Sequence, residues 1–201
     1  MRLRNLKNRE EIIANCNYFY SEENNFSNNN PINIEIGMGK GKFILEMALK
    51  HPNINFIGVE KFSNVAAVAI KKIGENVPTN LRIIVSDALF LNELLERKVS
   101  VIYLNFSDPW PKARHYKRRL TSSDYLSVYS KLFKDKNIII QKTDNDALFS
   151  FSKESLTEYG YKITEISYDL HKENIDNVLT EYEEKFSKSG IKIKYLKAEK
   201  E

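Results

Sequence analysis

With 201 residues, 42% of them hydrophobic, the chain is long enough for one well-buried domain, and none of its apolar runs is long enough to cross a bilayer. The formal net charge is +4, and one short segment alone contributes five positive side chains: Lys112, Arg114, Lys117, Arg118 and Arg119. The single cysteine, Cys16, excludes an intramolecular disulfide, and because no apolar stretch follows the basic amino terminus, we expect a cytoplasmic protein without a signal peptide.

The first predicted segment is an amino-terminal extension over residues 1–30, which is partly irregular. It opens with the basic run MRLRNLKNREE and closes with SEENNFSNNN, a polar stretch of low complexity that is typical of an irregular connection. We expect a single domain over residues 31–201.

From residue 31 onward, apolar runs rich in β-branched residues alternate with segments of helical period. The predicted strands lie at 32–36, 54–60, 81–85, 99–106 and 137–142, with two more near 161–168 and 190–196. Helices are predicted at 41–50, 63–74, 88–95, 121–133 and 144–159, and over a segment that includes 180–186. Because the strands are apolar throughout and alternate with helices, we expect a doubly wound α/β fold with a mostly parallel seven-stranded sheet.

Capping residues predict where three of these helices begin. Ser63 and Asp144 stand at N-cap positions, and Thr121 with Asp124 fits a capping box. Gly160 follows the fifth helix and is expected to end it.

Three glycines, Gly37, Gly39 and Gly41, stand in the segment EIGMGKGKF between the first strand and the next helix. In a doubly wound sheet, ligands bind at the carboxyl ends of the strands, where glycine allows a close approach of the backbone. The G-x-G-x-G spacing lacks the third glycine position of dinucleotide-binding loops, and no GK[ST] follows, so a nucleotide-phosphate site is disfavoured. A tight turn that binds no ligand fits the loop as well.

Acidic residues occur at the carboxyl ends of the first three predicted strands. Glu60 is placed to accept from both hydroxyls of a ribose, and Asp87 from the exocyclic amine of adenine. Glu35 suits an ammonium group or stabilises the loop. Each acid alone is as typical of a surface charge or a helix cap. Together they indicate a ligand with ribose, adenine and a cationic amino acid tail but no phosphate, which describes S-adenosylmethionine.

The stretch SDPWPKARHYKRR follows the fourth predicted strand at the same edge of the sheet. Pro109 and Pro111 stiffen the backbone around Trp110, a residue that is able to stack on a base or to anchor a core or an interface. Asp108 is expected to face the ligand site. The basic run after it fits a phosphate-binding loop, although a solvated face or a localisation-type cluster has the same composition.

Four segments together are similar to the bacterial tRNA (guanine-N7-)-methyltransferase family: EIGMGKGKF, YLNFSDPWPKARHYKRRL, KTDN at 142–145 and TEYEEKF at 180–186. The match extends from about residue 32 to residue 195. SDPWPK and TEYE are its specific signatures, whereas the glycine loop is not specific. The resemblance implies a Rossmann-like class I methyltransferase fold with one antiparallel strand near the carboxyl end. It also implies S-adenosylmethionine as donor and 7-methylation of a guanosine at position 46, in the variable loop of tRNA.

The resemblance also implies roles for individual residues. The donor site would be lined by Glu35, Gly37, Gly39, Gly41, Glu60, Asp87, Ala88 and Asp108. Asp108 would in addition be the catalytic acid. Substrate contacts would come from Lys112, Asp144, Thr180, Glu181, Tyr182 and Glu183. RNA contacts would come from Arg114, His115, Tyr116, Lys117, Arg118 and Arg119.

Guanine itself constrains the chemistry. Its N7 has a lone pair in the ring plane and no proton, so methyl transfer requires alignment and charge stabilisation rather than a base. Asp144 or Glu183 would accept from the N1–H and the exocyclic amine of guanine, and adenine would be rejected because it offers no donor at those positions.

Three other functions fit parts of the pattern: methylation of an exocyclic amine, RNA binding on a silent methyltransferase fold, and nicotinamide-dependent oxidoreduction. The glycine spacing disfavours the last of these. No metal site is expected, because His51, His115, His171 and Cys16 are widely separated. The expected partner is tRNA, with the protein as a monomer or homodimer.

Overall fold

A single sheet organises the residues that the computed structural model describes, which are 6–75, 77–187 and 190–201. Its strands are β1 (Ile32–Ile36), β2 (Asn55–Glu60), β3 (Leu81–Val85), β4 (Val99–Asn105), β5 (Phe133–Thr143), β6 (Lys162–Ser167) and β7 (Lys194–Lys200). They lie in the order β3-β2-β1-β4-β5-β7-β6. The first five of these positions pair in parallel, and β7 is antiparallel to β5 and to β6. The predicted seven-stranded sheet with one antiparallel strand is confirmed.

Helices cover both faces of this sheet. In chain order they are α1 (Arg9–Ala14), α2 (Lys42–Lys50), α3 (Ser63–Ile73), α4 (Asn92–Leu95), α5 (Ser123–Leu132), α6 (Asp146–Glu158) and α7 (Glu181–Ser187). Successive side chains of β2 point to opposite faces: Phe56 packs with residues of α2 and α3, and Ile57 with residues of α5 and α6. Burial on both faces explains why the parallel strands are apolar throughout.

The amino-terminal extension packs against the edge of the sheet beside β3. Tyr20 donates its N–H to the carbonyl of Ile83 at 2.9 Å, and the N–H of Ile83 donates to the carbonyl of Tyr18 at 3.0 Å. The side chains of Tyr18, Tyr20 and Phe26 are buried. The sequence analysis predicted no regular element in residues 1–30 and so missed α1. A division of the chain after residue 30 stays a prediction.

The three predicted helix caps are wrong. Ser122 stands at the N-cap of α5 without a side-chain cap bond, and Thr121 instead shares a buried hydrogen bond with Ser152 at 2.8 Å. At α6 the cap is Asn145, one residue later than Asp144, with its Oδ1 accepting from a backbone N–H at 2.8 Å. Ser63 is the first residue of α3, and Phe62 occupies its cap position. Tertiary contacts thus override the local capping preference at α5.

Several element boundaries also differ from the prediction, among them the start of β5, which lies at Phe133 rather than at 137. Residues 88–95 form a short 3-10 helix followed by α4 rather than one helix. β7 starts four residues later than the predicted strand start at 190 and continues to Lys200, past the predicted end at 196. In this added part Lys197 pairs with Glu165 of β6 at 3.1 Å. None of the helices in the described ranges is long and apolar enough to span a membrane.

Candidate functional site

The carboxyl ends of β1 to β4 border a cavity of about 720 Å³. Glu60 at the end of β2, Asp87 just after β3 and Asp108 after β4 all line it. A smaller chamber of about 280 Å³ adjoins this cavity, because Gly37 and Phe106 line both. The structure therefore places three of the predicted donor-site acids around one cavity, at the sheet edge where doubly wound folds bind ligands.

The glycine loop is fixed to the end of β2. Gly39 has a φ of +57° and donates its N–H to Glu60 Oε2 at 3.1 Å, while Phe62 donates its N–H to Oε1 at 2.9 Å. Gly41 precedes α2 with a φ of +79°, and a Cβ there would lie 3.0 Å from Ile73 Cδ1. The left-handed backbone explains glycine at both positions, and the tight contact with α3 adds a second reason at Gly41.

Glu60 combines burial with remaining capacity to accept hydrogen bonds. It is 6% exposed, and this burial raises the pKa of its carboxyl, although the backbone N–H groups of Phe62 and Gly39 partly oppose the increase. The nearby charge of Asp108 raises the pKa further. Each carboxylate oxygen has a second lone pair, so ribose hydroxyls fit beside the backbone donors.

Asp87 has two partners in this structure. Its Oδ1 accepts from the N–H of Leu89 at 3.1 Å and caps the 3-10 helix that begins at Ala88, and its Oδ2 lies 2.7 Å from Lys61 Nζ. Ala88 lines the same cavity. The sequence analysis did not indicate Lys61, which follows β2. Its ammonium group would compete with the amine of a ligand for the Asp87 carboxylate.

Glu35 lies deeper, in the wall of the smaller chamber. It is 2% exposed, and its burial raises the pKa of the carboxyl to about 7. Oε1 accepts from Asn105 Nδ2 at 2.8 Å, whereas Oε2 has no hydrogen-bond partner among the described residues. Asn105 is a site residue that the sequence analysis missed, since an amide inside an apolar strand gives no functional signal.

The Asp108 loop is held in a strained shape by Arg119. Trp110 has a φ of +43°, which is unfavourable for a bulky residue. Arg119 donates from Nε to the carbonyl of Pro109 at 3.0 Å and from Nη2 to that of Trp110 at 3.2 Å, and it packs over the Phe151 ring. The guanidinium of Arg119 thus fixes the loop, and its predicted RNA contact stays a prediction.

The basic run forms a 3-10 helix over Ala113–Arg118, preceded by Lys112. Arg118 lies over the Trp110 ring at 4.9 Å, and His115 meets the same ring edge-on with 5.8 Å between centroids. Lys117 and Arg118 line the large cavity. The exposed side chains of the run are Lys112, Arg114, Tyr116, Lys117 and Arg118. The basic charge thus borders the cavity that holds the acids.

The TEYE signature contains a capping box that the sequence analysis missed. Thr180 Oγ1 accepts from the N–H of Glu183 at 3.0 Å, and Glu183 Oε2 accepts from the N–H of Thr180 at 3.3 Å. Glu183 is fully buried, with Lys142 Nζ at 2.8 Å, His171 Nε2 at 2.9 Å and Asn177 Nδ2 at 2.7 Å. Burial alone would raise the pKa of Glu183, but these partners hold it below its usual value. The predicted substrate contact of Glu183 is corrected, since its carboxylate is enclosed by protein groups.

The other two residues of this signature, Glu181 and Tyr182, are partly exposed. Glu181 is ion-paired with Lys40 of the glycine loop at 3.3 Å and with Lys72 of α3 at 2.7 Å. The hydroxyl of Tyr182 donates to Asp144 Oδ2 at 2.9 Å, and its ring packs on Phe106 with 4.8 Å between centroids. Thr180, Glu181 and Tyr182 line the smaller chamber. Asp144 thereby contacts a residue in the wall of the smaller chamber.

No group of three or more His, Cys, Asp or Glu side chains within the described ranges is arranged to hold a metal ion.

Comparison with known proteins agrees with this arrangement. The family model described as "Putative methyltransferase" matches residues 29–196. A tRNA (guanine-N(7)-)-methyltransferase of Lachnoclostridium phytofermentans is 45% identical over 212 residues, which cover 100% of this chain and 99% of that protein. One of Geobacillus sp. (strain WCH70) is 51% identical over 170 residues, with 84% of this chain and 77% of that protein covered. The chain belongs to the tRNA (guanine-N7-)-methyltransferase family.

Solved structures support the fold of this tRNA (guanine-N7-)-methyltransferase family member. An antibiotic-related methyltransferase is similar with a TM-score of 0.63 at 20% identity, over 99% of this chain and 96% of that one. The 16S rRNA methyltransferase KamB has a TM-score of 0.64 at 13% identity, over 85% and 87% of the two chains. The predicted Rossmann-like class I methyltransferase fold is therefore confirmed.

Proposed function

We propose that the protein transfers a methyl group from S-adenosylmethionine to N7 of a guanosine at position 46, in the variable loop of tRNA. The observation that carries this proposal is the shared cavity, which Asp87 and Asp108 line together with Lys117 and Arg118. Acids suited to the donor and cations suited to phosphates thus meet in one crevice. The names of the relatives support tRNA as the substrate class.

The residues present fit S-adenosylmethionine. Glu60 retains lone pairs for the two ribose hydroxyls, and Asp87 with Ala88 borders the place of the adenine. Glu35, with an unpartnered buried oxygen among the described residues, suits the cationic amino acid end. The smaller chamber, beside the large cavity, gives that end its own space.

S-adenosylmethionine, when bound, supplies a methyl group on a positively charged sulfur. Since N7 carries no proton, no side chain of the protein has to act as a base. The protein's contribution is to align the guanine and to stabilise the positive charge that develops on it. Asp108 fits the second role, because its carboxylate lies at the cavity wall. Trp110, with its backbone fixed by Arg119, offers a ring for stacking.

Asp144 is the acid that we assign to the guanine edge. Glu183 is enclosed by Lys142, His171 and Asn177, whereas Asp144 reaches the chamber wall through the Tyr182 hydroxyl. A carboxylate there accepts from the N1–H and the 2-amino group of guanine. It rejects adenine, whose N1 is an acceptor and whose C2 carries no amine.

Phosphate contacts are assigned to the outward-facing part of the basic run. Arg114 and Lys117 are exposed, and Lys112 precedes them at the start of the 3-10 helix. His115 and Tyr116 flank the same surface as additional RNA contacts. We infer a cytoplasmic protein that acts as a monomer or homodimer.

The test is a methylation assay with purified protein, unmodified tRNA transcript and radiolabelled S-adenosylmethionine, followed by nucleoside analysis. We expect label in 7-methylguanosine. The matched control is the same transcript with 7-deazaguanosine at the target position, which lacks the N7 atom and should remain unlabelled. Label in an amine-methylated nucleoside would replace the proposal with exocyclic-amine methylation. Donor binding without label on any tRNA would favour a silent RNA-binding fold.

A further inference from the structure

Asn105 carries a buried acceptor that the described part of the protein leaves unsatisfied. It is the last residue of β4 and is 7% exposed. Its Nδ2 donates to Glu35 Oε1 at 2.8 Å, and this contact orients the amide, because a carboxylate oxygen accepts hydrogen bonds. Asn105 Oδ1 and Glu35 Oε2 then remain without partners among the described residues. Unpaired buried acceptors cost free energy, so a ligand that donates to both would stabilise this pair.

Both residues line the smaller chamber, and each contributes one of the two unpartnered acceptors. A carboxylate oxygen beside an amide oxygen matches a group with one positive charge and several N–H donors. Lys40 and Lys42 also line this chamber, but their ammonium groups pair with Glu181 and Glu184. The Lys142 ammonium lies near Glu35 but donates to Asn177 and Glu183. None of these three lysines supplies a donor to the two acceptors, so an ammonium group from a ligand fits them.

We propose that Asn105 determines donor specificity by accepting, through Oδ1 and beside Glu35 Oε2, the N–H groups of the ammonium on the donor's amino acid end. This inference rests on the proposed function, in which S-adenosylmethionine is the donor. It assigns Asn105 a direct contact in addition to its hydrogen bond with Glu35. An apolar residue at position 105 would leave the ammonium with one acceptor fewer.

The test compares two ligands by calorimetry: S-adenosylhomocysteine and its desamino analogue, in which hydrogen replaces the ammonium group. We expect Asn105→Leu to weaken S-adenosylhomocysteine binding on the order of 10- to 100-fold while the desamino analogue keeps its affinity. Gln141→Met is the matched control, since Gln141 is a buried amide of β5 that also lacks partners among the described residues. It should change neither affinity.

A double variant separates a direct contact from an effect through the carboxylate. If Asn105 acts by itself, Asn105→Leu should weaken ammonium-dependent binding further in a Glu35→Gln background. Equal losses for both ligands, or no further loss in that background, would overturn the proposal. Binding of 5′-methylthioadenosine, which lacks the amino acid end, verifies that each variant is folded. If the unaltered protein binds neither this nucleoside nor S-adenosylhomocysteine, the donor itself is wrong, an outcome distinct from a failure of Asn105 alone.

Discussion

Glu35 is buried at a cost to folding. Its pKa is raised from 4.5 to about 7, chiefly by burial. The folded chain therefore binds more protons between these pH values, and stability falls as pH rises through this window. A pKa shift of this size lowers the free energy of unfolding by about 3 kcal/mol at pH 8. We expect Glu35→Gln to raise the free energy of unfolding by about 2–3 kcal/mol at pH 8 and by less at pH 5.5, measured with urea. Parallel pH profiles of the two proteins would contradict this cause.

Asp108 is expected to act on the transition state rather than on donor affinity. Its carboxylate lines the cavity and is close enough to Glu60 to raise the pKa of that group. Asp108→Asn keeps the shape but removes the charge that stabilises a developing cation, so we expect a loss of roughly 100-fold or more in kcat. Single-turnover rates and S-adenosylhomocysteine affinity should be measured together. Similar losses in both would assign Asp108 to donor binding alone.

We expect replacement of Arg119 and replacement of Arg114 to have different effects, although both residues belong to the basic run. Arg119 holds the carbonyls of Pro109 and Trp110, whereas Arg114 is exposed. Arg119→Ala should shift the emission of Trp110, the only tryptophan of the chain, and lower kcat. Arg114→Ala should leave the emission unchanged and weaken tRNA binding. An unshifted spectrum in Arg119→Ala would show that the loop keeps its shape without the guanidinium.

At the scale of elements, the two glutamates of the TEYE segment are expected to differ in their contribution to stability. Glu183→Gln leaves Lys142 buried without its counter-charge, which costs about 3–5 kcal/mol, while Glu181→Gln removes a half-exposed ion pair worth about 0–1 kcal/mol. Thr180→Ala removes the cap of α7 and should cost about 1 kcal/mol. Urea unfolding measures all three. Comparable values for the two glutamates would contradict the buried network.

The elements differ in how far the sequence predicts them. β2 is found easily, because burial on both faces leaves a continuous apolar run. β7 is displaced in the prediction, because its charged residues are neutralised by cross-strand partners such as Glu165, which the local sequence does not contain. The predicted cap of α5 is wrong for a similar reason: the Thr121 hydroxyl is hydrogen-bonded to Ser152, 31 residues away.

For the whole molecule, topology makes part of the site predictable. Parallel strands end at one edge, so the acids after β2, β3 and β4 must gather there once the fold is known. What the sequence does not indicate is which charged groups are already paired. Lys61 with Asp87, and Lys142 with Glu183, are contacts between elements, and they decide which carboxylates remain for a ligand.

The distribution of charge over the molecule predicts a salt-dependent interaction with tRNA at one end of the sheet. Arg114 and Lys117 are exposed near the cavity, while Lys131 and Lys134 are exposed near the start of β5, whose other end borders the site. Arg114→Ala with Lys117→Ala should weaken tRNA binding and flatten its dependence on log salt by about 0.7–0.9 per lost phosphate contact. Lys131→Ala with Lys134→Ala carries the same change in net charge and should leave that slope unchanged. The affinities of both variants for tRNA are to be measured between 50 and 300 mM salt. Equal slopes for the two variants would show that net charge, rather than a local binding surface, causes the salt dependence.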